Sequence, residues 1–471
     1  MNRPTAIAQS IREHSPRPAT TLSVASLGTF VALVAFCAPL GNMPTVATAL
    51  SAGPAAQTWI LSSMSVGLAA VLLTAGALAD DYGRRRVFQW GAWLLALGAV
   101  VGAVSQEPVL FIIGRLIQGV AGAALIAASL GAVAHAFTTP AARATASGIW
   151  GASVGAGIAV GPVLAGLLDL AGWWRGLYWA LAVASLMIGQ VATRALAESR
   201  SAVPKRIDVP GAVTLCAAMV LVLVALVEGR QGNTAATVLC GVGAVVFVLA
   251  FVAVERRRPF PMLDLALFRR RDFLAATLAA LATGAGIIGL MSFACTFLVK
   301  TMHVSTLAAA GVIALWSGTS VVASLLARTL PARLAGSPQL VIGLAGVGLA
   351  MLTMTGLSPD SSLLRLVPGL LLAGVASGLL NAGLGRQAVA SVPADQGGLG
   401  SGANNTARYL GSSIGVTVVS IIALNPAGTV DGMVAGWNYA AVTTGLISLV
   451  GAGVVGVLVR GSAQLAVGGR G

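Results

Sequence analysis

Long apolar runs recur along the chain, and the short breaks between them hold most of the charged residues. Each run has about 20 residues or more, the length of a helix that crosses the hydrocarbon core of a bilayer. Helices are predicted rather than strands because a helix satisfies every backbone group within its own segment, as lipid surroundings require. The pattern predicts fourteen spans, at 22–43, 58–79, 87–105, 108–136, 145–168, 174–196, 209–229, 234–254, 273–299, 305–330, 338–357, 363–391, 402–423 and 438–459.

The composition agrees with a chain surrounded by lipid. Charged residues make up 9% of the 471 residues and the mean hydropathy is +0.91, whereas a soluble domain carries about 25% charged residues. This excludes a soluble enzyme, a disordered protein and a fibrous repeat. The four cysteines lie far apart within apolar runs, so neither a metal site nor a disulfide is predicted, and no cofactor is expected.

The basic residues indicate the orientation of the helices. A net charge of +14 often indicates nucleic-acid binding, but here the basic residues cluster in the breaks between spans. With the N-terminus in the cytoplasm, 23 of the 28 basic residues lie on the inner side, and four lie on the outer side: Arg175, Arg230, Lys300 and Arg365. Because cytoplasmic loops carry such an excess, we predict a multi-pass protein of the cell membrane with both termini cytoplasmic and no nucleic-acid partner.

An internal repeat divides the chain. The segment from Ser147 to Gly161 matches that from Ser401 to Gly415 at an offset of 254 residues, so spans 1–6 correspond to spans 9–14. Two repeated bundles around a central site are the architecture of a rocking secondary transporter. The predicted organisation is a cytoplasmic tail (1–21), a six-helix bundle (22–196), two linker helices with a basic cytoplasmic loop (197–272), a second six-helix bundle (273–459) and a cytoplasmic tail (460–471).

The break after span 2 places Gly76, Asp80, Gly83 and Arg84 at fixed spacings. Gly83 permits a tight turn between antiparallel helices. Asp80 is expected to cap a helix N-terminus or to pair with a neighbouring arginine such as Arg143. These residues therefore predict a structured turn at the inner face of the membrane.

Two more motifs lie within spans. Arg115 is expected about 12 Å deep in span 4, at 1.5 Å per residue, with Gln118 on the same helix face. A charge inside a span is a functional candidate, and the alternative is an arginine satisfied by backbone carbonyls. Span 5 combines small residues four apart with a helix-bending proline: Gly157, Gly161, Pro162 and Gly166. These residues predict close helix packing.

Together the motifs and the arrangement of six, two and six helices resemble the fourteen-helix drug/proton antiporter branch of the major facilitator superfamily. The resemblance implies a cytoplasmic latch at Gly76, Asp80, Gly83, Arg84 and Arg143, and a part for Arg115 and Gln118 in proton coupling. It associates the span 5 motif with export, with the Gly161–Pro162 region as a hinge or seal. It implies a carrier rather than an enzyme, with small amphipathic substrates and multidrug efflux by alternating access. A dedicated exporter or importer of neutral or anionic metabolites on the same fold is the alternative.

One departure from that branch concerns the substrate. The branch usually has an Asp in the middle of span 1, and Ala35 stands at that place. All fourteen acidic residues fall in loops or at span ends, which favours neutral or anionic substrates over cations. Asp169 and His135 are candidates for titrating groups. Candidates for lining the cavity are Asn42, Asn381, Asn404, Asn405 and Arg408.

Overall fold

The computed structural model describes residues 18–200, 208–258, 261, 263–331, 333–393, 396–423 and 429–468. Within these residues the chain forms fourteen long helices, a few short helical turns and no strand. The long helices are α1 (Pro18–Cys37), α2 (Pro54–Tyr82), α3 (Arg84–Val104), α4 (Pro108–Ala136), α5 (Pro140–Leu170), α6 (Gly176–Ala195), α7 (Val209–Arg230), α8 (Thr234–Arg257), α9 (Arg271–Thr301), α10 (Thr306–Leu326), α11 (Ser337–Thr353), α12 (Val367–Ala390), α13 (Gly397–Ala423) and α14 (Val430–Gly468).

These helices match the fourteen predicted spans. In the described residues, thirteen helices are long and apolar enough to cross a membrane, and α11 is a shorter apolar helix. At about 1.5 Å per residue the 17 residues of α11 extend about 25 Å, a little less than the thickness of a hydrocarbon core. One turn of 3-10 helix (Ala38–Gly41) extends α1, and a short helix (Met43–Ala49) follows it. A π-helical turn (Gly284–Ile288) interrupts α9.

Several helix ends differ from the prediction. α14 begins at Val430, eight residues before its predicted start. α13 begins at Gly397, five residues before its predicted start. Three of its first four residues are glycines, which have poor helix propensity, and the helix is stabilised there by a contact from another part of the chain. α14 continues to Gly468, into the predicted tail at 460–471, because no proline interrupts it. α1 begins at Pro18, within the predicted tail at 1–21, whose residues 1–17 lie outside the described residues.

Helix packing follows the internal repeat. In the first bundle α1 packs on α5, α2 on α4, and α3 on α4 and α6. In the second bundle α9 packs on α13, α10 on α12, and α11 on α12 and α14. Each contact of the first bundle therefore recurs eight helices further on, as the predicted repeat requires. The two cores are separate clusters of buried apolar side chains.

Glycines that match in the repeat occupy equivalent positions. Gly83 and Gly336 both have positive φ, +117° and +83°, at the turns before α3 and α11. A Cβ at Gly161 would lie 2.8 Å from the Val34 carbonyl oxygen of α1, and a Cβ at Gly415 would overlap the Ala285 carbonyl oxygen of α9. The glycines of span 5 and span 13 therefore set the same close approach between helices in both halves.

Four helix pairs form most of the contact between the two halves in the described residues. α2 and α4 pack against α13, and α10 and α12 pack against α5. The pairs are related by the repeat, so the interface has an approximate two-fold symmetry. The inserted helix α7 packs against α2 and α13, and α8 packs on α7 and is largely exposed.

Candidate transport site

Asp80 joins the two halves at the end of α2. It is 3% exposed, and its carboxylate accepts hydrogen bonds from the backbone N–H groups of Gly398 (3.0 Å) and Leu399 (2.7 Å) at the start of α13. Arg84 donates to the same carboxylate from Nε (3.0 Å) and Nη2 (2.7 Å). An anion at a helix N-terminus is stabilised by the unpaired N–H groups and the helix dipole. Of the residues expected to form a latch, Asp80 and Arg84 make this contact. From here on, the latch means the contact formed by Asp80, Arg84, Gly398 and Leu399.

The latch depends on a close helix crossing. A Cβ at Gly76 would overlap the carbonyl oxygen of Gly398, and a Cβ at Gly398 would lie 2.6 Å from the Gly76 carbonyl oxygen. Only glycines at both positions allow α2 and α13 to approach so closely. Arg143, expected as a partner of Asp80, instead donates to the carbonyls of Phe137 (3.1 Å) and Ala134 (3.4 Å) at the end of α4. The arginine that pairs with Asp80 is Arg84, one turn further along the chain.

Glu198, which the sequence analysis did not single out, supports the turn at Gly83. Its Oε1 accepts from the backbone N–H of Arg85 at 3.3 Å, and its Oε2 lies 3.6 Å from the Nε atoms of both Arg85 and Arg86. A Cβ at Gly83 would overlap the Glu198 carboxylate. The acidic residue just after span 6, opposite three consecutive arginines, was the signal that could have indicated this contact.

Arg115 and Gln118 are buried inside the first half. Arg115 is 1% exposed, and its guanidinium donates to the Ala35 carbonyl, to the Phe36 carbonyl at 3.0 Å and to Gln118 Oε1 at 2.9 Å. Backbone carbonyls thus accept the hydrogen bonds of the Arg115 guanidinium. They lie at the place in α1 where the drug/proton antiporter branch usually has an Asp side chain. Neither Arg115 nor Gln118 lines the cavities described below, and their part in proton coupling stays a prediction.

The span 5 motif also packs within the first half. A Cβ at Gly157 would lie 2.6 Å from Leu33 Cβ, and Gly166 lies near the Gly41 carbonyl oxygen. Pro162 lies inside α5, and it lines the cavity between the halves. The motif therefore fixes α5 on α1 and places the proline at the cavity wall.

The two candidate titrating groups lie elsewhere. Asp169 accepts a hydrogen bond from Thr45 Oγ1 at 2.8 Å, which ties the end of α5 to the short helix after α1. His135 is exposed near the end of α4. Neither lines the central cavities, and their titration during transport stays a prediction.

A cavity lies between the halves, away from the latch. Its wall is apolar apart from a few hydroxyl and thiol groups and comes from five helices: Leu33, Phe36, Cys37 and Leu40; Ile158, Ala159 and Pro162; Ile288, Met291, Ser292 and Cys295; Ala310, Ile313, Ala314 and Trp316; and Tyr409. The rings of Phe36 and Tyr409 meet across the halves edge to face at 5.6 Å. The cavity is therefore shaped by both repeats and suits apolar parts of a ligand.

A second compartment continues from this cavity past Phe36, Leu40, Ile288 and Ser292, which line both. It carries hydroxyl groups: Ser62, Ser65, Ser292, Ser412, Ser413 and Thr417. The inserted helix α7 also contributes to this wall. Ser65 lies 15 residues before Asp80 on α2, about 22 Å at 1.5 Å per residue. The two compartments thus lie on the far side of the molecule from the latch.

Two of the five candidate lining residues line a third, polar recess. Arg408 and Asn381 line it together with Ser317, Ser320 and Ser377. Asn404 instead donates to the Ala276 carbonyl of α9 at 3.0 Å, and Asn405 donates to the Ser401 carbonyl of its own helix at 3.0 Å.

Asn42 is 1% exposed, and neither of its side-chain polar atoms has a hydrogen-bond partner in the part of the chain that is described. Asn42, Asn404 and Asn405 line none of the three cavities.

Comparison with known proteins identifies the family. The sequence signature of the Major Facilitator Superfamily matches residues 25–416. The chain belongs to the major facilitator superfamily. The puromycin resistance protein pur8 of Streptomyces alboniger is 29% identical to this superfamily member over 422 residues, which cover 84% of this chain and 82% of the relative. The multidrug resistance protein Stp of Mycobacterium tuberculosis is 28% identical over 85% of this chain and 75% of the relative.

Solved structures show the same fold. The human organic anion transporter MFSD10 (TETRAN) superposes with a TM-score of 0.68 at 18% identity, over 94% of this chain and all of that chain. The proton:xylose symporter XylE superposes with a TM-score of 0.68 at 14% identity, over 92% of this chain. This superfamily member is a multi-pass membrane transporter of small molecules and not an enzyme. No group of histidine, cysteine or acidic residues suited to a metal ion lies within the described residues.

Proposed function

We propose that this chain exports small amphipathic molecules from the cytoplasm across the cell membrane by alternating access. The observation that carries the proposal is the latch, which joins α2 of one half to the N-terminus of α13 of the other, while a cavity lies between the halves away from the latch. Rocking of one half on the other would break these bonds and close the cavity. A carrier requires two such states.

Two further observations support export of amphipathic compounds. Relatives that match most of the chain are named for resistance to puromycin and for tetracenomycin C resistance and export. The apolar cavity offers walls from Phe36, Ile158, Met291 and Trp316, and the second compartment offers hydroxyl groups. Apolar walls with a few polar groups suit amphipathic molecules.

The proposed orientation puts the latch at the cytoplasmic face. The arginines that follow Gly83 lie beside it, and the excess of basic residues on that side agrees with a cytoplasmic location. Both termini then lie in the cytoplasm. Labelling of a cysteine introduced at Tyr82, which is 40% exposed at the end of α2, with a membrane-impermeant reagent tests this in intact cells and in inverted vesicles. Labelling only in inverted vesicles is expected.

Efflux from loaded cells tests the function. Cells that express the chain and matched cells without it are loaded with ethidium (a cation), N-phenylnaphthylamine (neutral) or anilinonaphthalene sulfonate (an anion), and loss of each probe is followed after energisation. Faster loss of at least one probe, abolished by a change in the latch, is expected. Equal loss of all three from both cell types would contradict export, and faster entry instead of loss would favour the alternative of an importer.

A further inference from the structure

Among the described residues, Arg408 is the only charged one that lines the three cavities described above. It is 8% exposed and lies eleven residues into α13, about 16 Å along the helix at 1.5 Å per residue. This is close to the middle of a hydrocarbon core about 30 Å thick. Burying a charge at that depth costs free energy unless the charged group has an ion-pair or hydrogen-bond partner.

The guanidinium of Arg408 has neither a hydrogen bond nor an ion pair with any residue that the structure describes. The other arginine buried at mid-depth, Arg115, differs in this respect, because two backbone carbonyls and Gln118 accept its hydrogen bonds. Both Nη groups of Arg115 thus donate within the fold and only its Nε has no partner among the described residues, whereas Arg408 faces the recess.

The walls of the recess add neutral polar groups. Among the described residues, the buried Ser317 hydroxyl has no hydrogen-bond partner. The Asn381 Nδ2 donor lies at a long 3.5 Å from Ser320 Oγ, and Asn381 Oδ1, which can only accept, has no partner there either. Ser377 accepts a hydrogen bond from Trp316 Nε1 at 3.1 Å, which leaves its own hydroxyl hydrogen free to donate. Hydroxyl and amide donors beside a guanidinium are the groups that bind an oxyanion.

The recess is continuous with the apolar cavity. Ile158, Ile288 and Trp316 line both, so one molecule can place an apolar body in the cavity and a polar head in the recess. The π-helical turn of α9 supplies part of this wall, and its Gly284 approaches the Arg408 carbonyl so closely that a Cβ would overlap it. π-Helical turns occur often at functional sites.

We propose that the recess binds the anionic group, a carboxylate or sulfonate, of an amphipathic aryl substrate, with Arg408 as the residue that selects for charge. The inference rests on the proposed function for its physiological meaning, but the binding site itself does not depend on transport. The anion would complete the hydrogen bonding of Arg408 and of the hydroxyls around it. A cation would meet Arg408 with no acidic side chain on the lining to offset the repulsion.

Equilibrium binding to the purified full chain in lipid nanodiscs tests the site without transport. The probes are anilinonaphthalene sulfonate and N-phenylnaphthylamine, which share their rings and differ by the sulfonate, and empty nanodiscs supply the lipid background. Hydrogen bonds to a charged group contribute about 1.5–3 kcal/mol, so Arg408→Gln is expected to lower the ratio of sulfonate to neutral affinity about ten-fold or more. Arg408→Lys should retain part of the ratio because it keeps the charge.

Two further variants make the result specific. Arg386→Gln removes a half-buried arginine of α12 that pairs with Gln339 and lines none of these cavities, and the affinity ratio should stay at the wild-type value. Ser317→Ala should lower the ratio by a smaller factor, and it gives an answer even where Arg408→Gln does not fold.

An unchanged ratio in Arg408→Gln, an equal loss in Arg386→Gln, or a wild-type preference for the neutral probe would each overturn the proposal. Efflux of the neutral probe without any effect of Arg408 on sulfonate binding would leave the exporter and remove the anion site. Sulfonate binding that depends on Arg408, without efflux of any probe, would support the anion site and contradict the proposed export.

Discussion

The latch predicts that Asp80→Asn shifts the protein toward the state in which the latch face is open. Of the hydrogen bonds that form the latch, the two from the Gly398 and Leu399 N–H groups cross between the halves. The pairing with Arg84 lies within the first half and contributes to both states. Asparagine keeps one accepting oxygen and loses the charge, so one charge-assisted bond is removed and the other is weakened. At about 1.5–3 kcal/mol for a bond to a charged group, the total loss is about 3 kcal/mol.

A change of that size is large for a two-state equilibrium. About 3 kcal/mol corresponds to a factor of about 150 in the ratio of the two states. Spin labels at Tyr82 and Arg333, exposed residues beside equivalent turns of the two halves, report this ratio through their distance distribution. The four cysteines are replaced first, and size-exclusion chromatography verifies that each variant is folded.

The expected result is a longer distance that becomes dominant in Asp80→Asn. Asp81→Asn is the matched control because it removes the same charge one residue later, and neither inter-half bond involves Asp81. A distance distribution in Asp80→Asn that equals the wild-type distribution would refute the latch. So would an equal shift in the control, because the effect would then come from net charge at this face.

Three other outcomes are expected. Gly76→Ala should stop efflux and populate the open latch face, because its Cβ would overlap the Gly398 carbonyl, whereas Gly318→Ala, with open space around it, should leave efflux unchanged. Arg115→Ala should lower thermal stability and abolish efflux, since it removes the hydrogen bonds that the guanidinium donates to the Ala35 and Phe36 carbonyls, and lost bonds of a charged group are costly; unchanged flux would remove Arg115 from the mechanism. If protons drive export, a protonophore should stop uphill efflux, and continued accumulation against a gradient would identify another driver.

The number of helices and the repeat were predictable because both follow from local patterns. Apolar runs of about 20 residues indicate spans. The matched glycines mark equivalent crossings, where Gly161 of α5 packs against α1 and Gly415 of α13 packs against α9. The turn at Gly83 was predictable for the same reason, since a tight turn with positive φ selects glycine. Its value of +117° agrees with that expectation.

The partners of the charged residues were less predictable because they lie far away in the sequence. The start of α13 was placed five residues late, since its glycines disfavour a helix and its cap, Asp80, comes from more than 300 residues earlier. Arg115 and Arg408 look alike in the sequence as arginines inside apolar runs. Only tertiary packing brings carbonyls to Arg115 and leaves the recess in front of Arg408.

Departures from the repeat mark the residues on which function is expected to depend. The glycines at the helix crossings recur in both halves because each half must fold in the same way. The charges do not recur: Asp80 corresponds to Arg333 at an offset of 253, Arg115 to Leu370 at 255 and Arg408 to Val154 at 254. A symmetric carrier would close equally well at either face and would bind a ligand in either half. The latch at one face and the recess with Arg408 in the second half break that symmetry. We therefore expect the two states to differ in energy and the substrate to meet its charge partner on the second half alone.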